Sequence, residues 1–370
     1  MGNYTNDSRI VLTLDAGGTN MVFGAMRGEE YVGKPITMPA NANDLDLCLK
    51  TMVVGFESVM NTLGGEKPVA ISFAFPGPAD YPNGIIGGYL PNFPSFRDGV
   101  ALGPFLQEKF GVPVFINNDG DLYAFGEALG GVLPQVNAKL AALGSTKRYR
   151  NLIGYTFGTG FGIGCVINGQ LNRGDNSCVE TYCLPHSRIQ GVIVEDGVAV
   201  RAVKRVYAER SGENDPYLTP KDIYDIAEGT RPGNQEAALA AFAEMGTVAG
   251  NAMAVAAQLM DGLIVIGGGI TASKKYFMPA LLDALRGTVR TLSGDTLAKV
   301  QMKVYNLDDE AEFAAFAKGS AREIKVYGSD RTVTYDPQKR IGVMISKIGA
   351  SKAISVGAYD FALAQLDAAR

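Results

Sequence analysis

Residues 10–25 read IVLTLDAGGTNMVFGA. Val11 to Leu14 run as a short apolar strand into Asp15, Gly17-Gly18 give a sharp reversal, and apolar residues resume at Met21, Val22 and Phe23. This pattern predicts a β-hairpin with a tight turn. Two uses of that turn compete. Glycine is what a tight turn needs, and it is also what lets main-chain N–H groups come close to an anion. Thr19 and Asn20 add side-chain donors, and Asp15 places a carboxylate where a hydrated Mg²⁺ could sit. This stretch alone leaves both readings open.

Composition narrows the field. With 370 residues, 46% hydrophobic and 19% charged, the chain has the length for two domains and an ordinary globular balance. A net charge of −4 offers no basic field for a polyanion, so no nucleic-acid partner is expected. The four cysteines, Cys48, Cys165, Cys178 and Cys183, form no CxxC pair, which fits a reducing cytoplasm. The N-terminal MGNYTNDSR has no apolar core of a signal peptide, and Asn6 stands where a myristoylation signal wants Ser or Thr. Residues 245–269 are the most apolar, but Asn251, Gln258, Asp261 and several glycines interrupt them. They predict a buried helix followed by a strand, with no membrane partner.

Along the chain, apolar spacing predicts a helix over 44–63, a strand over 69–75 stopped by Pro76-Gly77-Pro78, and a proline-rich loop over 90–96 that presents Asn92. A strand over 114–116 should deliver Asn117, Asn118 and Asp119 at its carboxyl end, ahead of a helix to Leu129. Residues 133–150 read as a polar surface insertion. Residues 151–167 repeat the opening pattern, strand, glycine turn, strand, which suggests two related halves. The second half is mostly helical, with strands near 263–266, 302–305 and 324–344 and a closing helix over 351–366.

Glycine-rich matches have to hold in register. Gly28 to Lys34 has P-loop spacing, but Pro35 replaces the hydroxyl that should bind Mg²⁺; around Gly158 no frame satisfies GxGxxG. What remains are three glycine turns, Gly17-Gly18, Gly158-Thr159-Gly160 and Gly267-Gly268-Gly269, each at the end of an apolar strand. They suit an ATP whose phosphates lie against two turns while the third backs the adenosine.

The set DAGGTN (15–20), ISFAFPGP (71–78), INNDGDLYAFGEALGG (116–131), IGYTFGTGFGIGCVINGQLNRG (153–174), Glu180 and LIVIGGGI (263–270) resembles the ROK family of bacterial sugar kinases and sugar-responsive repressors. The resemblance implies an α/β, two-domain actin-like ATPase (ribonuclease H-like) fold that closes over ATP and sugar in a cleft. The expected division sets 1–119 and the last helix, 355–370, against 120–354, with insertions near 133–150 and 303–340.

Residue by residue, the resemblance puts the general base on Asp119 and a sugar-holding asparagine on Asn118. Phosphoryl transfer to a hydroxyl independently needs a carboxylate to orient that hydroxyl and accept its proton. Asp119 also stands where a helix N-cap belongs. Asn92 matches an asparagine that holds a sugar hydroxyl, Gly77-Pro78 the loop against the ring, and Glu180 a sugar-binding glutamate; Glu195 is a candidate for a second. Cys183 stands in place of the family's zinc- and sugar-binding histidine, and its cysteine-rich loop is missing, so no structural zinc is expected. His186 reads as a surface residue. Packing of Tyr182, Leu184 and Ile189 is expected to hold this loop, with Cys183 in a half-buried space.

The function expected is ATP- and Mg²⁺-dependent phosphorylation of a hexose, glucose first, with N-acetylhexosamine, fructose or mannose as close rivals. Asp15 would position Mg²⁺ through water. The rival class is a sugar-sensing repressor, whose DNA-binding segment has no room ahead of a first strand at Ile10. A homodimer is compatible with all of this. Gly18→Val is expected to weaken ATP more than sugar.

Overall fold

The computed structural model describes residues 4–369. Met1–Asn3 of the N-terminal stretch and Arg370, the expected end of the terminal segment, lie outside the described residues. By compactness the chain divides into one unit of Met1–Pro134, Gly162–Tyr182 and Lys347–Arg370 and another of Gln135–Phe161 and Cys183–Ser346.

In the first unit β1 (Val11–Ala16) and β2 (Asn20–Arg27) pair antiparallel, with Leu14 opposite Phe23 and Asp15 opposite Val22, as the alternating pattern predicts. Short strands β3 (Glu30–Tyr31) and β4 (Ile36–Pro39) pair with β2. α1 (Leu45–Asn61) starts at Asp44, whose carboxylate accepts the Leu47 N–H at 3.0 Å and so satisfies a donor that the helix leaves orphaned. β5 (Ala70–Ala74), α2 (Leu102–Phe110), β6 (Val114–Asn117) and α3 (Asp119–Leu129) follow. β5 runs parallel to both β1 and β6, giving the order β3-β2-β1-β5-β6. Alternate residues go to opposite faces. Leu12, Leu14, Phe23, Ile71 and Phe73 pack with Met52 and Phe56 of α1, while Val11, Met26 and Ala70 pack with Tyr359, Ala362 and Leu363 of the C-terminal helix.

α4 (Val132–Ala142) corrects the expectation of a polar insertion over 133–150. Val132, Leu133, Val136 and Leu140 recur at helical spacing and are buried, and Pro134 is tolerated because it falls in the first turn. β7 (Leu152–Phe157), β8 (Phe161–Ile167) and β9 (Gln170–Leu171) come next, then α5 (Val200–Ser211), α6 (Pro220–Ala227), α7 (Gln235–Met260) and β10 (Leu263–Gly267). α7 is long and apolar enough to cross a membrane by length and composition alone. Here Phe242, Met245, Val248 and Met253 are buried, and the helix packs along α8 (Lys274–Arg286).

Two short hairpin strands, β11 (Thr288–Arg290) and β12 (Thr296–Ala298), precede β13 (Lys303–Asn306) and α9 (Glu310–Lys318). A second hairpin, β14 (Arg322–Lys325) and β15 (Thr332–Tyr335), leads to β16 (Arg340–Ile345) and α10 (Ala350–Ala368). In the second unit the order is β13-β16-β10-β7, every neighbouring pair parallel. Leu263 to Ile266 of β10 are all buried, the continuous apolar run that a parallel strand covered on both faces requires.

Candidate functional site

The first unit's sheet brings three carboxyl ends to one edge. Asp15 of β1 is the register partner of Ala74 of β5, and Ala74 is the partner of Asn117 of β6. Asp15, the 76–78 loop and the Asn118-Asp119 pair therefore leave the sheet side by side, where open α/β sheets present their ligand groups.

Asn118, not Asp119, caps α3: its Oδ1 accepts the Gly120 N–H at 2.7 Å. Asp119 is the first helical residue, its Oδ1 accepting the same N–H at 2.9 Å, and its side chain is exposed. The capping reading thus passes to the neighbour. Surrounding protein mass pushes the Asp119 carboxyl above the usual carboxylate range, with Asp15 adding to the rise and the Gly120 N–H opposing it. Asp15 is raised by its own surroundings too, and no described group donates a hydrogen bond to its carboxylate.

Glu180 lies on a single helical turn, Val179–Thr181, and is 8% exposed with Oε2 buried and unpartnered. Burial first, then the charges of Asp121 and Asp119, push its carboxyl up to about 9. That shift favours the protonated form, which has one O–H to donate. The Tyr81 hydroxyl donates to the Phe75 carbonyl at 2.9 Å and lies 3.4 Å from Glu180 Oε1, so it faces both groups. A Cβ at Gly77 would meet both that hydroxyl and Glu180, so the 76–78 loop fits here only with glycine.

Asn92 is exposed on a loop anchored by buried aromatics: Phe75 lies 4.6 Å from Phe93 and 5.1 Å from Phe96 between ring centroids. A Cβ at Gly18 would sit 3.0 Å from the Asn92 Cβ, so the hairpin turn and this loop touch. Gly17, Gly18, Thr19 and Asn20 are all exposed, and the Gly17 and Gly18 N–H groups donate to no described atom. The first unit thus gathers Asp15, the 17–20 turn, Gly77-Pro78, Asn92, Asn118, Asp119 and Glu180.

In the second unit the other two glycine turns are neighbours. Gly267 of β10 pairs with Thr156 of β7, immediately ahead of the 158–160 turn, and Gly268 at φ +96° backs onto the Phe157 carbonyl. Glu195 lies at that turn. Its Oε2 accepts the Phe161 N–H at 3.0 Å, and Oε1 pairs with Arg201 Nη2 at 2.5 Å, while Arg201 also pairs with Asp196. Both oxygens are engaged within the second unit, where Glu195 supports the turn.

The 183–194 loop differs from expectation in two respects. His186 is buried, not a surface residue: Nδ1 accepts the Arg188 and Ile189 N–H groups at 3.0 and 3.1 Å, and burial lowers the imidazole's pKa so that it stays neutral. Cys183 is exposed where a half-buried position was expected. Backbone bonds hold the loop, His186 N–H to Val192 at 2.7 Å and Val194 N–H to Leu184 at 2.8 Å, while Tyr182, Leu184 and Ile189 are only half-buried. Among the described residues no group of three or more His, Cys, Asp or Glu side chains is arranged to hold a metal ion.

Sequence reasoning missed Tyr81, Asp121, Arg173 and Arg201. Asp121 and Arg173 lie inside the quoted stretches 116–131 and 153–174, and the signal was an acid two residues after Asp119 and a lone arginine before a glycine. Nothing in the sequence near Tyr81 ties it to Glu180.

Comparison with known proteins follows the same lines. The family model described as ROK family matches residues 11–311. A crystal structure of a glucokinase from Parabacteroides distasonis is 57% identical, with 97% of this chain and 99% of that chain covered and a TM-score of 0.89. A ROK family glucokinase from Streptomyces griseus, solved with glucose and AMPPNP, is 17% identical with 95% and 98% covered and a TM-score of 0.61, a likeness of fold. The fold is that of the actin-like ATPases. The xylose repressor of Bacillus spizizenii is 36% identical over 106 residues, which span 29% of this chain and only 23% of the repressor.

Proposed function

We propose that this chain, which belongs to the ROK family, is an ATP-dependent sugar kinase that transfers the γ-phosphoryl group to a hydroxyl of a hexose, with glucose as first substrate ahead of N-acetylhexosamines, fructose and mannose. The observation that carries this reading is the gathering of an exposed carboxylate, Asp119, and a buried protonated acid, Glu180, on the sheet edge that also bears Asp15 and the open 17–20 turn. Two acids in unlike surroundings, one exposed and one buried, are the pattern of divided labour in catalytic sites.

In this reading Asp119 orients the attacking hydroxyl and takes its proton. Its place at the N-terminus of α3 favours the ionised form that the task needs. Glu180 donates to one sugar hydroxyl, Asn92 and Asn118 to others, and Gly77-Pro78 lies against the ring. The N–H groups of Gly17 and Gly18, with Thr19 and Asn20, are the first unit's phosphate ligands; Gly158, Thr159 and Gly160 for phosphate, and Gly267, Gly268 and Gly269 for the adenosine, are the second unit's ATP ligands. The unpartnered Asp15 carboxylate suits a hydrated Mg²⁺, which when bound neutralises charge developing on the phosphates. The division into 1–119 with 355–370 against 120–354 is part of the proposal.

The test is ADP release from Mg-ATP across a hexose panel, alongside sugar binding measured calorimetrically. Sugar-dependent release is expected. Binding of a sugar without turnover would favour a sugar-responsive regulator, the reading that the partial likeness to a xylose repressor keeps in view.

A further inference from the structure

The chain bends sharply between β6 and α3 to place Asp119, and one guanidinium spans the bend. Arg173 Nη1 donates to the Asn117 side-chain oxygen at 2.8 Å. Asn117 is fully buried at the end of β6, and its carbonyl accepts the Phe75 N–H at 2.9 Å, so a hold on its side chain is a hold on the strand end. On the other side of Asp119, Asp121 is 1% exposed with Oδ1 unpartnered.

The titratable groups facing Asp121 are Asp119 on its own helix, Arg173, Cys165 of β8, Glu180 of the 179–181 turn and Tyr81 of the 81–83 turn. α10 packs along α3, and the charges that act on Asp121 are those of Arg173 and Asp119, not its Asp360. Arg173 is therefore the cation of this set. Burial pushes Asp121 up to about 7 while the guanidinium pulls it down. The guanidinium lies 5.4 Å over the Phe361 ring, which fixes its plane.

Building on the kinase reading, we infer that Arg173 is a positioning residue for phosphoryl transfer: through its hydrogen bond to Asn117 it fixes the end of β6, and with it the start of α3 that carries the Asp119 carboxylate. Arg173 itself touches no reacting atom in this assignment. A positional error of about 1 Å at a reacting group costs roughly 10²-fold in rate, which sets the scale of its effect.

The experiment compares wild type with Arg173→Met, Arg173→Lys and Arg173→Ala, recording kcat, both KM values and melting temperature. Arg173→Met keeps a stem over Phe361 and should lower kcat by about 10²-fold, with both KM values held within about threefold. Arg173→Lys should recover part of the loss. Added guanidinium ion, far below denaturing concentration, should restore kcat of Arg173→Ala at least several-fold, a rescue that a merely structural role would not give. Folded Arg173→Met with wild-type kcat overturns the inference, and so does a kcat loss that neither lysine nor guanidinium relieves. A wild type that binds sugar but makes no ADP overturns the kinase reading and this inference together, whereas an active wild type with an indifferent Arg173→Met overturns the inference alone.

Discussion

The turn at Gly17-Gly18 and the turn at Gly158-Thr159-Gly160 look like two copies of one device, yet they are filled differently. The first leaves its N–H groups open beside an unpartnered Asp15. At the second, the adjoining Phe161 N–H is taken by Glu195, whose charge is met by Arg201, and Arg201 Nη1 also reaches the Thr159 carbonyl at 3.4 Å. An internal carboxylate takes one donor beside this turn and leaves the Thr159 and Gly160 N–H groups open. The difference teaches that a glycine turn after a strand specifies room for an anion, while neighbouring side chains decide how much charge that room already holds.

The largest effect expected lies on the open side. Asp119→Ala should lower kcat by roughly 10²- to 10⁴-fold with the KM for ATP little changed, measured by steady-state kinetics. Near-normal turnover would remove Asp119 from the mechanism and leave the contrast between the turns without functional meaning.

Gly18→Val comes next, and here the structure alters the expectation. A Cβ at 18 lies 3.0 Å from both the Cβ and the carbonyl oxygen of Asn92, so a branched side chain displaces a sugar-side loop as well as blocking the turn. KM should rise for both ATP and sugar, roughly ten- to a hundredfold, the scale of overpacking a close contact. A rise for ATP alone would separate the two regions that the structure joins.

Glu180 gives a tenfold-scale effect with a definite pH sign. Glu180→Ala should raise the sugar KM about tenfold, the worth of a hydrogen bond of ~1.4 kcal/mol, while Glu180→Gln, a neutral donor, should nearly preserve it. The carboxyl is raised from 4.5 to about 9, so its proton is present below that pH and lost as pH climbs through it. The wild-type sugar KM should therefore rise above about pH 9, and that of Glu180→Gln should stay flat.

The smallest effect belongs to the filled turn. Glu195→Gln should lower the ATP KM by about two- to threefold, because Arg201 is released and one negative charge is removed near the phosphates; the half-exposed pair limits the gain. The sugar KM should not move. A rise in sugar KM would return Glu195 to the sugar.

Much of this site was legible because glycine and proline punctuate it. Asp15-Ala-Gly-Gly, the strand into Asn117-Asn-Asp119 and the helix capped by Asp44 follow from spacing and turn chemistry that act over a few residues. α4 was hidden because Pro134 and a mixed-charge sequence outweigh four apolar residues at helical spacing. Pro279 likewise obscures α8, where it sits inside the helix. The environments of Glu195 and Glu180 depend in part on Phe161 and Tyr81, 34 and 99 positions away, so their pairing could not be read from their neighbours alone. Tyr81 meets Glu180 across 99 positions of chain, and no local pattern encodes that.

The most direct measurement of the central claim is the joint yield of ADP and sugar phosphate from Mg-ATP and glucose, with the sugar phosphate identified by mass spectrometry, for wild type and Asp119→Ala side by side. The account predicts equal amounts of the two products from wild type and a loss of both in the variant. ADP formed without sugar phosphate, or equal yields from the two proteins, would contradict it.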